Sequence, residues 1–206
     1  MNVLIAGSHG GVGQHITELL SESDHTARAM VREESQVPEM EEFGVEAVVA
    51  DLTEDVSHAV EGSDVIIFAA GSSGEDVEGV DRDGAIGLID EAESHGITRF
   101  VMLSAINADR PEESPDALQP YLEAKLAADE YLQESDLTYT IVRPGELTDD
   151  PATERVEAAP QVERGQVTRA DVAHTLVAAL DIENTYGKTF EMVEGEQSIE
   201  AALQEL

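Results

Sequence analysis

The chain contains no cysteine. Disulfides, thiolate nucleophiles and zinc–thiolate sites are therefore excluded. No apolar run is long enough to cross a bilayer, and no charged-then-apolar leader stands before the first hydrophobic segment. Positive charge is scarce: 11 Lys and Arg face 45 Asp and Glu, a formal net charge of −34. Lysine itself occurs only at Lys125 and Lys188. Phosphate-bearing surfaces would be repelled, so neither nucleic acid nor an anionic membrane is expected as a partner. The histidines (His9, His15, His25, His58, His95, His174) show no metal-ligand spacing, and no metal site is expected. No internal repeat or low-complexity linker interrupts the 206 residues. One soluble, cytoplasmic domain spanning 1–206 is expected, with its oligomeric state open.

What is present is an alternation of two patterns. Short, β-branched apolar runs predict strands at Asn2–Ala6, Thr26–Val31, Val45–Ala50, Asp64–Ala69, Arg99–Ser104, Thr138–Val142 and Thr189–Val193. Between them, apolar residues at helical spacing predict helices at Gly11–Ser21, Gln36–Phe43, Val56–Val60, Arg82–His95, Pro120–Glu134, Arg169–Leu180 and Ile199–Leu206. Ser35, Thr53 and Thr168 are expected N-caps, and His95-Gly96 an expected helix stop. Strand–helix alternation implies right-handed crossovers and a parallel sheet covered on both faces. The stretch Glu146–Gln166 has no clear period and carries Pro151, Pro160 and Gly165. It reads as a loop on the substrate side.

The first strand breaks into glycines with the spacing G-x-x-G-x-x-G, at Gly7, Gly10 and Gly13, before a helical pattern begins. A strand, a glycine turn and a helix N-terminus together form a site for a dinucleotide pyrophosphate. The whole turn, Gly7, Ser8, His9, Gly10, Gly11, Val12 and Gly13, is expected to line it. In such a sheet the ligand lies beyond the carboxyl ends of the strands. Arg32 follows the second strand, where an acid would hold the ribose of NAD, and an arginine instead suits the 2′-phosphate of NADP. Asp51-Leu52 after the third strand are placed for the adenine, and Ala69-Ala70-Gly71 after the fourth for the nicotinamide ribose. In Tyr121-Leu122-Glu123-Ala124-Lys125, a tyrosine and a lysine four apart share a helix face. A nearby ammonium is expected to lower the phenol pKa and make Tyr121 a usable acid or base.

With these motifs the chain resembles the short-chain dehydrogenase/reductase superfamily, in its extended and atypical epimerase/dehydratase-like branch. The resemblance rests on the glycine turn, Asp51-Leu52, Ala69-Ala70-Gly71, the strand from Arg99 to Ser104, Tyr121 to Lys125, and Thr140 to Gly145. It implies an α/β, Rossmann-like, doubly wound parallel sheet of about seven strands. It also implies NADP, or NAD, as cofactor, Tyr121 as catalytic acid/base, Lys125 assisting it and holding ribose, and Pro144 beside the nicotinamide. The family's catalytic serine or threonine falls on Ser104 in one register. In another it falls on Ile106, and the triad is incomplete. The expected activity is an NADP(H)-dependent oxidoreductase or epimerase acting on a small carbonyl or hydroxyl substrate. The alternatives are a flavin- or quinone-type reductase and a non-catalytic NAD(P)H sensor.

The acidic residues recur in every segment and imply a solvated acidic surface on a folded chain. Such a composition resembles that of proteins from extreme halophiles. At about 1 M salt the Debye length is roughly 3 Å, so repulsion across that surface is screened. Melting temperature should therefore climb across a KCl series from dilute to multimolar. A flat series would show that the net charge of −34 imposes no such burden on the fold.

Overall fold

The computed structural model describes residues 1–72 and 74–206. In the first strand, β1 (Asn2–Ala6), Val3 and Ile5 join the core on one side while Leu4 and Ala6 join the core on the other. All four are at most 1% exposed, so both sheet faces are covered. That is the requirement of a parallel sheet, whose crossovers lay helices on each face. Its parallel partners are β2 (Thr26–Val31), β3 (Glu46–Val49), β4 (Val65–Phe68), β5 (Arg99–Leu103), β6 (Thr138–Pro144) and, later in the chain, a strand at Lys188–Glu194.

These seven correspond to the seven strands expected from sequence, but the sheet is wider. The segment expected to be a loop, Glu146–Gln166, contains β7 (Glu146–Thr148) and β8 (Arg155–Ala159), and ends at the start of β9 (Gln166–Thr168). With β10 (Lys188–Glu194) and β11 (Gln197–Ser198), the main sheet has nine strands among the described residues, ordered β11-β8-β10-β6-β5-β4-β1-β2-β3. β8 runs antiparallel to β10 and β11, while β7 and β9 pair in parallel as a separate ribbon. β7, β8 and β9 are each at most five residues long and pair with residues distant in the chain. Local periodicity cannot report such pairings.

Three helices cover one face. α1 (Gly11–Ser21), α6 (Arg169–Ala178) and α7 (Ile199–Gln204) bury Ile16, Leu20, Val172, Leu176, Ile199 and Leu203 against Val3, Ile5 and Val142. The opposite face is closed by α3 (Ser57–Val60), α4 (Ala85–Ser94) and α5 (Gln119–Glu134), through Val60, Leu88, Ile89, Ala128 and Leu132. Each fully buried Leu or Ile contributes roughly 1.5–3 kcal/mol. A small third cluster seats Met40 of α2 (Val37–Glu42) on Ala29 and Val31 at the sheet edge. None of these helices is long and apolar enough to cross a membrane.

The expected caps divide. Thr168 does cap α6, accepting from the Asp171 N–H, and Gly96, at φ 72°, ends α4 just after His95. Ser35 instead lies inside a 3-10 turn whose cap is Glu33, paired reciprocally with Gln36. Thr53 donates to Asp51, while Ser57 at the start of α3 donates its N–H to Asp55. The helix expected from Arg82 begins earlier, as a π-helical segment over Val77–Gly84 that Asp76 caps through the Gly79 N–H. Arg99 is buried, with no carboxylate partner among the described residues. It donates to the carbonyls of Thr138 and Ala179 and to the Thr140 hydroxyl, and lies 4.3 Å from the centre of the Tyr186 ring. The Ala179 carbonyl closes α6, whose negative end suits a cation.

Candidate active site

The sheet order reverses direction at β1, which has β2 on one side and β4 on the other. Ligands bind at the carboxyl ends of strands at such a switch point. There the glycine turn is packed to contact. A Cβ on Gly7 would lie 2.5 Å from the Ala70 Cα, and one on Gly13 would lie 2.0 Å from the Gly7 carbonyl oxygen. Gly7 also has φ +87°, a conformation side chains resist. These contacts bring the N-terminus of α1 down onto the ends of β1 and β4. Among the described residues, the N–H groups of Gly11, Val12 and Gly13 have no acceptor, whereas Gly10 donates to Gly7 and Gln14 to Gly10. Three free donors at a helix N-terminus fit the pyrophosphate of a dinucleotide.

The side chains of the turn look elsewhere. The Ser8 hydroxyl donates to the Met30 carbonyl at 2.7 Å, and the Val12 side chain is in the core. The His9 ring contacts Gln36 at 3.1 Å and Glu39 at 2.9 Å, tying the turn to α2. The turn therefore faces a ligand with backbone, not side chains. Arg32 directly follows β2, with its side chain 63% exposed and its guanidinium 3.6 Å from Glu33. Asp51 accepts from the N–H and hydroxyl of Thr53, and these bonds hold its pKa below the usual carboxylate value. Leu52 packs on Gly84, where a Cβ would approach its own to 2.8 Å. Gly71 lies beside Asp81, a carboxylate 1% exposed that accepts from the N–H and hydroxyl of Ser72.

Tyr121 and Lys125 do share a face of α5, but their electrostatics differ from the expectation. Lys125 is 2% exposed, with its ammonium 5.5 Å from the centre of the Phe68 ring. Burial lowers its pKa, and Asp81 and Asp129 act against that by favouring the charged form. The phenol of Tyr121 is pushed up to about 12, chiefly by burial and then by the same two carboxylates. The expected lowering by Lys125 is not what acts on it. The lysine's charge is answered by two acids, which leave the phenol in a field that holds its proton.

Asp129 is fully buried and accepts from the Ser104 hydroxyl at 2.8 Å and from Arg143 Nε at 2.9 Å. Burial raises its pKa despite those partners. The Ser104 proton is thus directed at Asp129, not at the space beside Tyr121. Arg143 also reaches Asp109 at 3.1 Å, Asp109 reaches Arg110 at 2.9 Å, and Arg110 reaches the buried Glu191 at 2.6 Å. This alternating chain was not visible in the sequence, because its members come from β6, β10, α5 and the loop after β5.

A cavity of about 840 Å³ is lined in part by Ser104 and Asn107, which hydrogen-bond to members of this alternating chain. Ser104, Asn107, Tyr121 and Pro144 line one side, and Glu146, Leu147, Arg164 and Gln166 line another. The ends of the segment expected as a substrate-side loop thus do border this space, as the short strands β7 and β9. Asn107 is held at φ 61° by its N–H to Glu191 and by Arg110 on its amide oxygen. It is a cavity residue that sequence reasoning missed. Its signal was an asparagine, tolerant of the left-handed region, soon after the fifth strand.

Residues 7–183 match the family described as NAD(P)H-binding. The chain is 44% identical over 214 residues to the uncharacterized sugar epimerase YhfK of Bacillus subtilis, covering 100% of both proteins. A solved structure from Bacillus halodurans, provisionally named an NAD-dependent epimerase/dehydratase, superposes with a TM-score of 0.96 at 39% identity and full coverage of both chains. The oxidoreductase ylbE of Lactococcus lactis superposes with a TM-score of 0.92 at 34% identity, covering 100% of this chain and 96% of that one.

The Tyr121 phenol generates a testable pH dependence. In the native state it keeps its proton to about pH 12, while an unfolded phenol loses it near 10.0. Its stability contribution is thus complete below the lower value and is lost as pH rises through the upper one. Ultraviolet titration of the phenols should show a phase near that upper value, absent from Tyr121→Phe. Asp81→Asn should move the phase down. A titration identical in wild type and Tyr121→Phe would refute the assignment.

Proposed function

Because the chain belongs to the NAD(P)H-binding family, we propose that it is an NADP(H)-dependent oxidoreductase of the short-chain dehydrogenase type, working on a carbonyl or carbinol carbon of a small molecule. The observation that carries this reading is Tyr121, on the wall of the 840 Å³ cavity with its phenol protonated at neutral pH. The free N–H groups of Gly11, Val12 and Gly13 would hold the pyrophosphate. Arg32 would take the 2′-phosphate, and Asp51 and Leu52 would border the adenine. Lys125, whose ammonium lies 5.5 Å from the centre of the Phe68 ring at the end of β4, would hold the nicotinamide ribose. When bound, the nicotinamide supplies or accepts a hydride.

The protein's part is then positioning and one proton. A phenol held near pKa 12 is a poor base and a retained donor, so Tyr121 acts best in the reductive direction. Its Oη gives a proton to the substrate oxygen as the carbon is reduced. Burial lowers the Lys125 pKa, and Asp81 and Asp129 oppose that by favouring the charged form. Ser104 acts through Asp129, orienting that carboxylate and Arg143, and is a positioning residue on this reading. That same bond favours a second reading. With the serine turned away, Tyr121 lacks a companion donor, as in a flavin- or quinone-type reductase where the tyrosine is dispensable.

Turnover separates the two. Tyr121→Phe keeps the ring and should leave NADPH affinity within a few-fold of wild type. Carbonyl reduction should fall by roughly 10²–10⁴-fold, the usual worth of general acid–base catalysis. Flavin reduction unaffected by the substitution would favour the second reading, and binding without any turnover would indicate a sensor.

Cofactor choice is tested independently at Arg32. Calorimetric titration in high salt should give tighter binding of NADPH than of NADH, and Arg32→Asp should reverse the order. Equal affinities, or a ratio untouched by the substitution, would remove Arg32 from the 2′-phosphate site.

A further inference from the structure

The glycine turn lies on a protein of net charge −34, which disfavours any phosphorylated ligand at long range. Retaining one requires positive charge close to the phosphates. The sequence motif contains none, since the turn offers only backbone and His9 is engaged by Gln36 and Glu39. A cation does lie against the turn, but it comes from far along the chain. A Cβ on Gly11 would sit 2.9 Å from Cδ and 3.0 Å from Nε of Arg169. The arginine stem therefore lies across the first residue of α1, beside the N–H groups that have no acceptor. A glycine at position 11 leaves room for that stem.

The base of Arg169 is rigid. It is the first residue of α6, directly after the Thr168 cap, and α6 shares its core with α1 through Val12, Ile16, Val172 and Leu176. The tip is less committed. Its Nη1 contacts Asp149 Oδ1 at 2.7 Å, and the Asp149 side chain is 89% exposed. An ion pair of that exposure is weak and is readily exchanged for a better anion. A phosphate offers the guanidinium two parallel charged hydrogen bonds on a planar fork.

We propose that Arg169 is a pyrophosphate-positioning residue, whose guanidinium moves from Asp149 to the phosphates of a dinucleotide seated on the Gly7–Gly13 turn. Asp149 is then a built-in competitor that weakens binding by holding the arginine. This inference rests on the reading that the turn binds a dinucleotide. It differs from the Arg32 assignment in kind. The pyrophosphate is common to NAD and NADP, so Arg169 governs affinity for both, and Arg32 governs the choice between them.

The test is titration of NADPH and NADH, with 2′-AMP as a competitor that lacks the pyrophosphate, all at one KCl concentration. Arg169→Met keeps the stem over Gly11 and removes the charge. It should weaken both dinucleotides by a common factor of roughly tenfold or more, leaving their ratio and the 2′-AMP affinity unchanged. Arg169→Lys should recover part of the loss, and Asp149→Asn should tighten both dinucleotides. Melting temperatures without ligand establish that each variant is folded. If wild type binds neither dinucleotide, the proposed function fails and this inference with it. If wild type binds and Arg169→Met binds equally well, only the inference fails. An equal loss of 2′-AMP affinity, or weaker binding by Asp149→Asn, would also overturn it.

Discussion

Everything at the carboxyl edge of the sheet depends on one van der Waals contact, in which the turn after β1 meets the turn after β4 with no side chain between them. A Cβ on Gly7 would penetrate Ala70, and a Cβ on Gly13 would penetrate the Gly7 carbonyl. Glycine at both places lets α1 start directly above the strand ends instead of a side chain's width away. Three consequences follow from that closeness. The first-turn N–H groups of α1 are left free at the switch point. The backbone of Ala69 and Ala70 is brought into contact with the turn at Gly7. And α1 comes near enough to α6 for an arginine on one helix to lie across the first residue of the other.

The buried charges solve a different problem. Lys125, Asp129, Arg143 and Glu191 are each at most 6% exposed, and isolated ions at such depth would be expensive to keep. They persist because signs alternate. Arg143 and Lys125 act on Asp129, Arg143 and Arg110 share Asp109, and Arg110 closes on Glu191. The network ties β6, α5, β10 and the loop after β5 into one wall. It fixes Asn107 in its left-handed conformation and leaves the cavity side to Tyr121, Pro144 and the β7–β9 ribbon. The acidic surface is a separate matter: its carboxylates face solvent, and salt can screen them.

Much of the fold was legible in the sequence, since the seven parallel strands are local objects. Val3 to Ala6 or Val65 to Phe68 are apolar on both faces wherever they are placed, and a run of that kind announces itself. β7, β8, β9 and β11 are not local in that sense. Arg155-Val156-Glu157-Ala158-Ala159 buries little more than Val156, and it is a strand because Lys188–Glu194 and Gln197-Ser198 lie on either side. Site residues divide in the same way. Gly7, Gly13, Tyr121 and Lys125 carry a spacing that can be read. Asn107, Asp81, Asp129 and Arg169 acquire their meaning only from what the fold brings beside them. The pKa of Tyr121 was misjudged for the same reason: the spacing showed one nearby ammonium but not the two carboxylates that answer it.

That misjudgement bears on mechanism. A tyrosine whose proton is withdrawn by a neighbouring cation can serve as acid or base, and leaves the direction of the reaction open. Here the phenol is pushed up to about 12, by burial first and then by Asp81 and Asp129, and a donor so weakly acidic is best matched to an oxygen that is itself becoming strongly basic. A carbonyl oxygen gaining electron density as its carbon is reduced meets that condition. An alcohol awaiting deprotonation does not. A positive charge arriving with the oxidised nicotinamide would lower the phenol's pKa and restore its use as a base. If the chain works as proposed, the same residues would favour reduction with the uncharged, reduced ring and permit oxidation with the charged one. In that proposed reaction the switch would lie in the ligand's own charge, sensed by a tyrosine whose pKa burial raises.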